Sequence, residues 1–298
     1  GEIKAGKSLK QLFKLLNNFD VRYNVFVTIL LNSLMVFDLQ VFCRLGKWKS
    51  LHQGVVGGWF DTLAEMDELL GYAVYAFNNQ EEVAYPEVSD RDFAFEAVEL
   101  GHPLLHPSTR VTNSVKFTGK PNVIIVTGAN MAGKSTFLRT LSVNLILAMN
   151  GAPVCARSFR FTPCDIMSSI KIQDSLSNHE SYFYAELLRI KELIDHVKSH
   201  PKTLVILDEI LRGTNTKDKQ LGSLGLLEKL ISQNAVAIIA THDLEIGKLE
   251  DVHPEVIANY CFEVELQNDQ LIFDYKLKKG ISSKLNASFL MKKMEIID

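Results

Sequence analysis

Val123-Ile124-Ile125-Val126-Thr127-Gly128-Ala129-Asn130-Met131-Ala132-Gly133-Lys134-Ser135 joins an apolar run to a complete G-x-x-x-x-G-K-[ST] loop, and a helical pattern opens immediately after it. An uninterrupted apolar run suits a strand buried on both faces. The glycines after it let the backbone curl so that several N–H groups point at one anion, and the following helix adds its positive end. Such a loop binds nucleotide phosphates. Lys134 is expected to reach the outer phosphates and Ser135 to hold Mg2+, while Gly128, Asn130, Met131, Ala132, Gly133 and Thr136 complete the expected ATP contacts.

Working outward, Leu204-Val205-Ile206-Leu207 is a second apolar run, and it ends in Asp208-Glu209. Two carboxylates at the C-terminal end of a buried strand form the Walker B arrangement: Asp208 for the Mg2+ shell, Glu209 to orient and deprotonate the attacking water. Alone, the pair reads as an acidic helix start. Downstream of a phosphate loop it reads as chemistry. A third run, Val236-Ala237-Ile238-Ile239-Ala240, ends in Thr241-His242-Asp243. His242 at a strand terminus can hydrogen-bond a γ-phosphate or its water, which makes it a second candidate catalytic residue. Three strands delivering polar groups at their carboxyl ends match the place where open α/β sheets bind ligands.

These residues together resemble a known family. Asn130-Met131 within the loop, Asp208 to Thr216 after the second strand (reading DEILRGTNT), and Thr241-His242 are similar to the ABC-type ATPase domain of MutS, the DNA mismatch-repair protein. Gly101-His102-Pro103-Leu104 followed by Asn113 resembles the stretch that helps form the nucleotide pocket of that family, and Ser181-Tyr182-Phe183-Tyr184-Ala185-Glu186 resembles its signature segment. The resemblance covers roughly residues 95–285. It implies an α/β P-loop NTPase with a central, mostly parallel sheet, over residues 87–298, preceded by an α-helical lever or connector over 1–86. It implies Mg2+ and ATP, with ADP as product, Asn113 among the ATP-binding residues, and a homodimer whose composite sites are each closed by Ser181 of the other subunit. Mismatched or branched duplex DNA would be contacted through regions this chain does not contain. The physical alternative for Ser181 is a helix cap, and the two roles are compatible.

The chain also departs from the family. His179-Glu180 stand where glycine usually precedes the signature serine, Lys219 follows Asp218 where glycine is usual, and Leu211 replaces another glycine. These changes leave the phosphate-binding residues intact and bear on the contact between subunits and on the hydrolysis rate.

Composition bounds the alternatives. With 298 residues, 47% of them hydrophobic, the chain is long enough for about two domains with real cores. A net charge of −3 lacks the bulk basicity of a stand-alone DNA binder. Residues 51–100 carry eleven acidic side chains against one basic, which disfavours phosphate contact there. Cys43, Cys155, Cys164 and Cys261 show no C-x-x-C spacing, so reduced thiols in a cytosolic compartment are expected and no zinc site. Residues 25–37 form an apolar run shorter than the roughly 20 residues that span a bilayer, and read as a buried packing helix. A membrane anchor upstream of Gly1 stays open, because the abrupt start reads as a fragment.

Leu9, Leu12, Phe13, Leu16 and Phe19, and again Leu63, Met66, Leu69, Leu70, Ala73, Val74 and Phe77, fall at helical spacing, with residues 54–58 breaking the two halves. Pro86 is expected to mark the boundary between domains. Residues 263–266 and 271–275 read as a hairpin. Phe95-Glu96 has the form of an intercalating wedge but leads into the first ATPase strand, so that role is set aside. Two other functions remain to be weighed: a nucleotide-gated assembly module, membrane-linked or free, without useful turnover or DNA contact, and a small-molecule kinase, which would need an acceptor pocket and lid arginines that no motif here supplies.

Overall fold

The computed structural model describes residues 4–90, 93–129, 131–170, 182–211, 214–267 and 270–282. Asn130, Ser181, Arg212 and Gly213, singled out above, lie outside them, as do His179 and Glu180. The chain divides into two compact units, residues 1–75 and 76–298.

The first unit is helical: α1 (Ala5–Asp20), a 3-10 turn (Val21–Tyr23), α2 (Val25–Met35), α3 (Phe37–His52), and most of α4 (Val56–Asn78). Asn24 caps α2 by accepting from the Val27 N–H, and Val36, in the left-handed region, separates α2 from α3. A small polar knot ties α1 to α3. Trp48 Nε1 donates to the Ser8 carbonyl at 3.0 Å, and His52 Nε2 meets the Ser8 hydroxyl at 3.0 Å while its ring stacks on Trp48. The expectation that residues 25–37 pack as a buried helix is corrected: Phe26, Ile29, Leu30 and Leu34 are exposed, and α2 has no buried residue. An apolar run is covered only where another element supplies a matching face, and α2 is apolar nearly all round. Among the described residues no single helix is long and apolar enough to cross a membrane; α2 and α3 together have the length and composition but are bent by 83°.

In the second unit the strands are β1 (Glu87–Val88), β2 (Ala94–Leu100), β3 (Asn113–Thr118), β4 (Val123–Gly128), β5 (Ser158–Phe161), β6 (Asp165–Ser169), β7 (Thr203–Asp208), β8 (Val236–Thr241), β9 (Ile257–Gln267) and β10 (Gln270–Lys279). The helices are α5 (Lys134–Met149), α6 (Tyr182–Ser199), α7 (Thr216–Ser232), α8 (Leu244–Gly247) and α9 (Leu249–Val252). The strand order of the main sheet is β10-β9-β4-β8-β7-β6, parallel except for the β9/β10 hairpin. The three apolar runs are β4, β7 and β8, three adjacent and wholly buried strands. Helix α5 covers one face of this sheet through Phe137, Leu138, Leu141 and Leu145; α6 and α7 bring Leu193, Val197, Leu227 and Leu230 to a separate core cluster with Ile125, Val205 and Ile239.

A smaller sheet, β1-β5-β2-β3, is antiparallel apart from β1/β5. Alternate residues of its strands point inward, and Phe95, Phe117, Phe159 and Phe161 form an aromatic cluster with ring centroids 5.0–6.0 Å apart. Phe95 is 1% exposed, which leaves it no reach toward a base stack.

Candidate nucleotide site

Because the neighbouring strands β4, β8 and β7 run parallel, their C-termini open on one edge, and each ends in polar residues. The phosphate loop leaves β4 at Gly128, whose φ of 146° belongs to glycine and whose absent Cβ would stand 2.6 Å from the Phe262 carbonyl oxygen on β9. Gly133, at φ 106°, opens α5. Lys134 is the first residue of that helix and is 4% exposed. Its ammonium donates to the Gly128 and Ala129 carbonyls at 2.7 and 2.9 Å and lies 3.8 Å from Glu209 Oε1. A buried cation curled into its own loop, at a helix N-terminus, suits a polyphosphate.

A cavity of about 360 Å³ lies over this loop. Gly133, Lys134, Ser135, Thr136 and Glu209 line its phosphate end. His102, Leu105, Val111, Asn113, Met131 and Tyr275 line the rest. The structure thus brings Asn113 to the wall, but its amide is engaged elsewhere: Nδ2 donates to the Tyr275 carbonyl at 3.0 Å, and Oδ1 accepts from the Leu277 N–H at 2.7 Å. Asn113 therefore holds the irregular turn of β10 between Phe273 and Leu277 and sets the Tyr275 ring, whose Cδ1 is 3.1 Å from where a Gly133 Cβ would be. Ala132 is buried beneath the loop, outside the cavity lining.

The stretch beginning at Gly101 is pinned to α5 from below. Asn144, wholly buried, donates to the Gly101 carbonyl and accepts from the Cys155 N–H. Arg110 braces the same loop through the Leu105 carbonyl and pairs with Glu82 at 2.8 Å. Burial, then Arg139 and Arg110, hold the His102 imidazole below its ordinary pKa.

Asp208 is buried at the end of β7. Glu209 follows at φ 49°, and His242 Nδ1 stands 3.4 Å from its Oε1. On the other side of that ring, Lys219 Nζ is 3.4 Å from His242 Nε2. Leu211, one of the residues standing where the family has glycine, has φ 56°, so the backbone there keeps the conformation that glycine takes freely. Met131, Glu209, Leu211 and Tyr275 are all left-handed, and strain of this kind gathers at functional sites. Buried Glu186 on α6 fixes the loop after β7 by accepting from the Leu211 N–H at 2.6 Å. The sequence carried no signal for Tyr275 and marked Lys219 only as a replaced glycine, since the partners of both are distant along the chain.

The oxygen donors of Ser135 and Asp208, both hard ligands on the phosphate edge, fit Mg2+. The arrangement can hold a nucleoside triphosphate, neutralise its outer phosphates through Lys134, and present Glu209 to water in the same place.

Comparison with known proteins gives a family model, MutS domain V, matching residues 124–295. Among curated relatives, the mouse protein named MutS protein homolog 4 is 32% identical over 238 residues, 76% of this chain and 24% of that protein. The human protein of the same name is 31% identical over the same shares. DNA mismatch repair protein MutS of Synechococcus sp. is 35% identical over 228 residues, 74% of this chain and 25% of that protein. The chain thus spans about a quarter of the length of these relatives.

Proposed function

The chain belongs to the MutS family, and we propose that it is the part of a MutS-related DNA repair or DNA-structure-processing protein that binds and hydrolyses Mg-ATP. The observation that carries this reading is the convergence of Lys134, Ser135 and Glu209 in the lining of one cavity large enough for a nucleotide, with Asp208 buried at the end of β7 immediately before Glu209.

In this reading the loop N–H groups and Lys134 take the β- and γ-phosphates, and the Lys134 ammonium exchanges its two carbonyl contacts for phosphate oxygens. Bound Mg2+ neutralises charge on the triphosphate; Ser135 and Asp208 would hold it. Glu209 orients a water in line with the γ-phosphorus and accepts its proton as the bond to phosphorus forms and the ADP oxygen leaves. His242, between Glu209 and Lys219, holds the carboxylate in place and reports whether the γ-phosphate is intact. The composite dimer, with Ser181 closing the partner's site, and the DNA contact through other regions belong to the same proposal. The DNA contact is supported by the name of the relatives called DNA mismatch repair protein MutS, and the composite dimer by the resemblance of residues 181–186 to the signature segment of the family.

The test separates binding from chemistry. Lys134→Ala is expected to abolish ATP binding, since the backbone cradle alone must then hold several negative charges. Glu209→Gln keeps shape and loses the base, so binding persists while turnover drops by roughly 10²–10⁴-fold. Unchanged affinity in the first variant rejects the nucleotide site. Surviving turnover in the second moves the catalytic role to His242.

A further inference from the structure

At the opposite edge of the main sheet from the phosphate loop, β6 begins with Asp165, and the last turn of α6 lies over it. The helix presents His196 and, one turn later, His200, whose N–H donates to the His196 carbonyl. Residues four apart on a helix share a face. One donor atom from each of Asp165, His196 and His200 lies within 4.8 Å of the other two. His196 Nε2 already meets Asp165 Oδ2 at 2.9 Å.

The environment of His200 fixes which nitrogen is available. Its Nδ1 is 2.9 Å from the Ser199 hydroxyl and 3.2 Å from the His196 carbonyl. That hydroxyl has one proton, and it lies 3.0–3.2 Å from the Asp195 and His196 carbonyls, so it accepts from His200 Nδ1–H. Nε2 is left with its lone pair. A ligating histidine commonly donates its second ring N–H to a carbonyl or a similar oxygen, which orients the ring and raises its basicity. The tautomer of His200 is thus set before any ion arrives, while its ring, stacked on His196 with centroids 4.2 Å apart, has still to turn toward the ion.

We propose that Asp165, His196 and His200 form a binding site for a divalent transition-metal ion, zinc by ligand type, separate from the Mg-ATP site. Two imidazoles and a carboxylate are a donor set that Zn2+ accepts, with a remaining position for water. Donor atoms around a tetrahedral ion at about 2.0–2.1 Å stand about 3.3 Å apart. The His196–Asp165 pair is already inside that spacing, and the third ligand closes by side-chain rotation at the exposed end of α6. The bound ion ties the start of the edge strand β6 to the end of the helix whose other end carries the signature segment. It replaces an ordinary His–Asp ion pair with a cross-link between the two elements.

The experiment uses the full chain, stripped with chelator and free of nucleotide, titrated with ZnCl2 by calorimetry and with CoCl2 by visible absorption. One equivalent of Zn2+ is expected to bind, Co2+ to develop the d–d bands of nitrogen ligation, and the melting temperature to rise with Zn2+ concentration. His200→Ala leaves the His196–Asp165 pair and should weaken Zn2+ binding by about tenfold or more; His196→Ala and Asp165→Asn should do the same. Asp208→Asn should leave Zn2+ binding unchanged, since it touches only the nucleotide site. Absence of binding overturns the proposal. So does binding that the His200→Ala variant retains in full, which would leave the cluster as an ion pair bracing β6 and assign the ion to other ligands.

Discussion

His102 stands in the wall of the nucleotide cavity with its Nδ1 accepting from the Leu104 N–H at 3.3 Å, an arrangement that needs the ring neutral. Its pKa is lowered, by burial first and then by Arg139 and Arg110. The sign of the consequence follows from linkage. Below the ordinary histidine range the unfolded chain takes up a proton that the folded chain refuses, so stability is full above that range and falls as the pH drops toward the depressed folded value. A single site contributes at most about 1.4 kcal/mol per pH unit in that window, and less here because water screens the two guanidinium groups. His102→Gln should therefore lose less stability than the parent between pH 7.5 and pH 5, both measured by denaturant titration. Parallel losses would assign the acid sensitivity to other groups. At this scale the sequence was legible where chemistry follows a local motif: Lys134, Ser135, Asp208 and Glu209 were all named from spacing. The meetings of Lys219 with His242 and of Tyr275 with Gly133 were not, because they depend on how strands and helices stack and on the irregularity of β10. Asn113 was named for ATP; it lines the cavity, and its amide holds the backbone that places Tyr275, a second task that no local motif announces.

The element that decides the architecture is the strand, loop and helix unit β4–α5. Uninterrupted apolar runs made β4, β7 and β8 readable, since strands buried on both faces have no polar side to alternate. The short strands were less readable: β5 of the small sheet and β6 at the edge of the main one are mixed in composition, and their pairing depends on partners far along the chain. The helical runs of the first unit were read correctly as helices, while the burial of residues 25–37 was not, because periodicity reports shape and says nothing of what covers it. Gly128 tests how tightly β4 and β9 grip the loop. A methyl at that position meets the Phe262 carbonyl at 2.6 Å in a backbone region closed to alanine, so Gly128→Ala should cost roughly 1–3 kcal/mol and abolish ATP binding. Gly225, inside α7 with nothing near its missing Cβ, is the control. Gly225→Ala should stabilise by about 0.5–1 kcal/mol with ATP affinity unchanged. Equal behaviour of the two variants in thermal melts and nucleotide titrations would remove the steric argument for the loop.

At the scale of the whole molecule, what distinguishes a composite dimer from a self-contained nucleotide enzyme is whether one chain needs another to complete its site. The phosphate loop and the carboxylates lie within a single chain, while Ser181 lies outside the described residues, and among the described residues none of Phe183, Tyr184, Ala185 and Glu186 lines the cavity of about 360 Å³. If Ser181 serves the partner's nucleotide, Mg-ATP should drive monomers of the Glu209→Gln variant into dimers, because a ligand that binds best to the closed assembly shifts the equilibrium toward it. Sedimentation with and without Mg-ATP reads that shift directly. Two inactive variants then locate the site. Lys134→Ala lacks a working loop but keeps its signature serine, and Ser181→Arg keeps its loop but presents a bulky cation where a hydroxyl is expected. A mixed dimer has one doubly damaged site and one made wholly of intact parts. Random mixing in equal amounts gives half mixed dimers with one good site in two, so up to about a quarter of the parental turnover should return. Monomers at saturating Mg-ATP, with no turnover regained on mixing, would leave Ser181 as a helix cap and the chain as a nucleotide enzyme complete in itself. Recovery would place the serine in the partner's site despite His179 and Glu180, and would make the replaced glycines a matter of rate, with Lys219→Gly as the variant in which that rate should change.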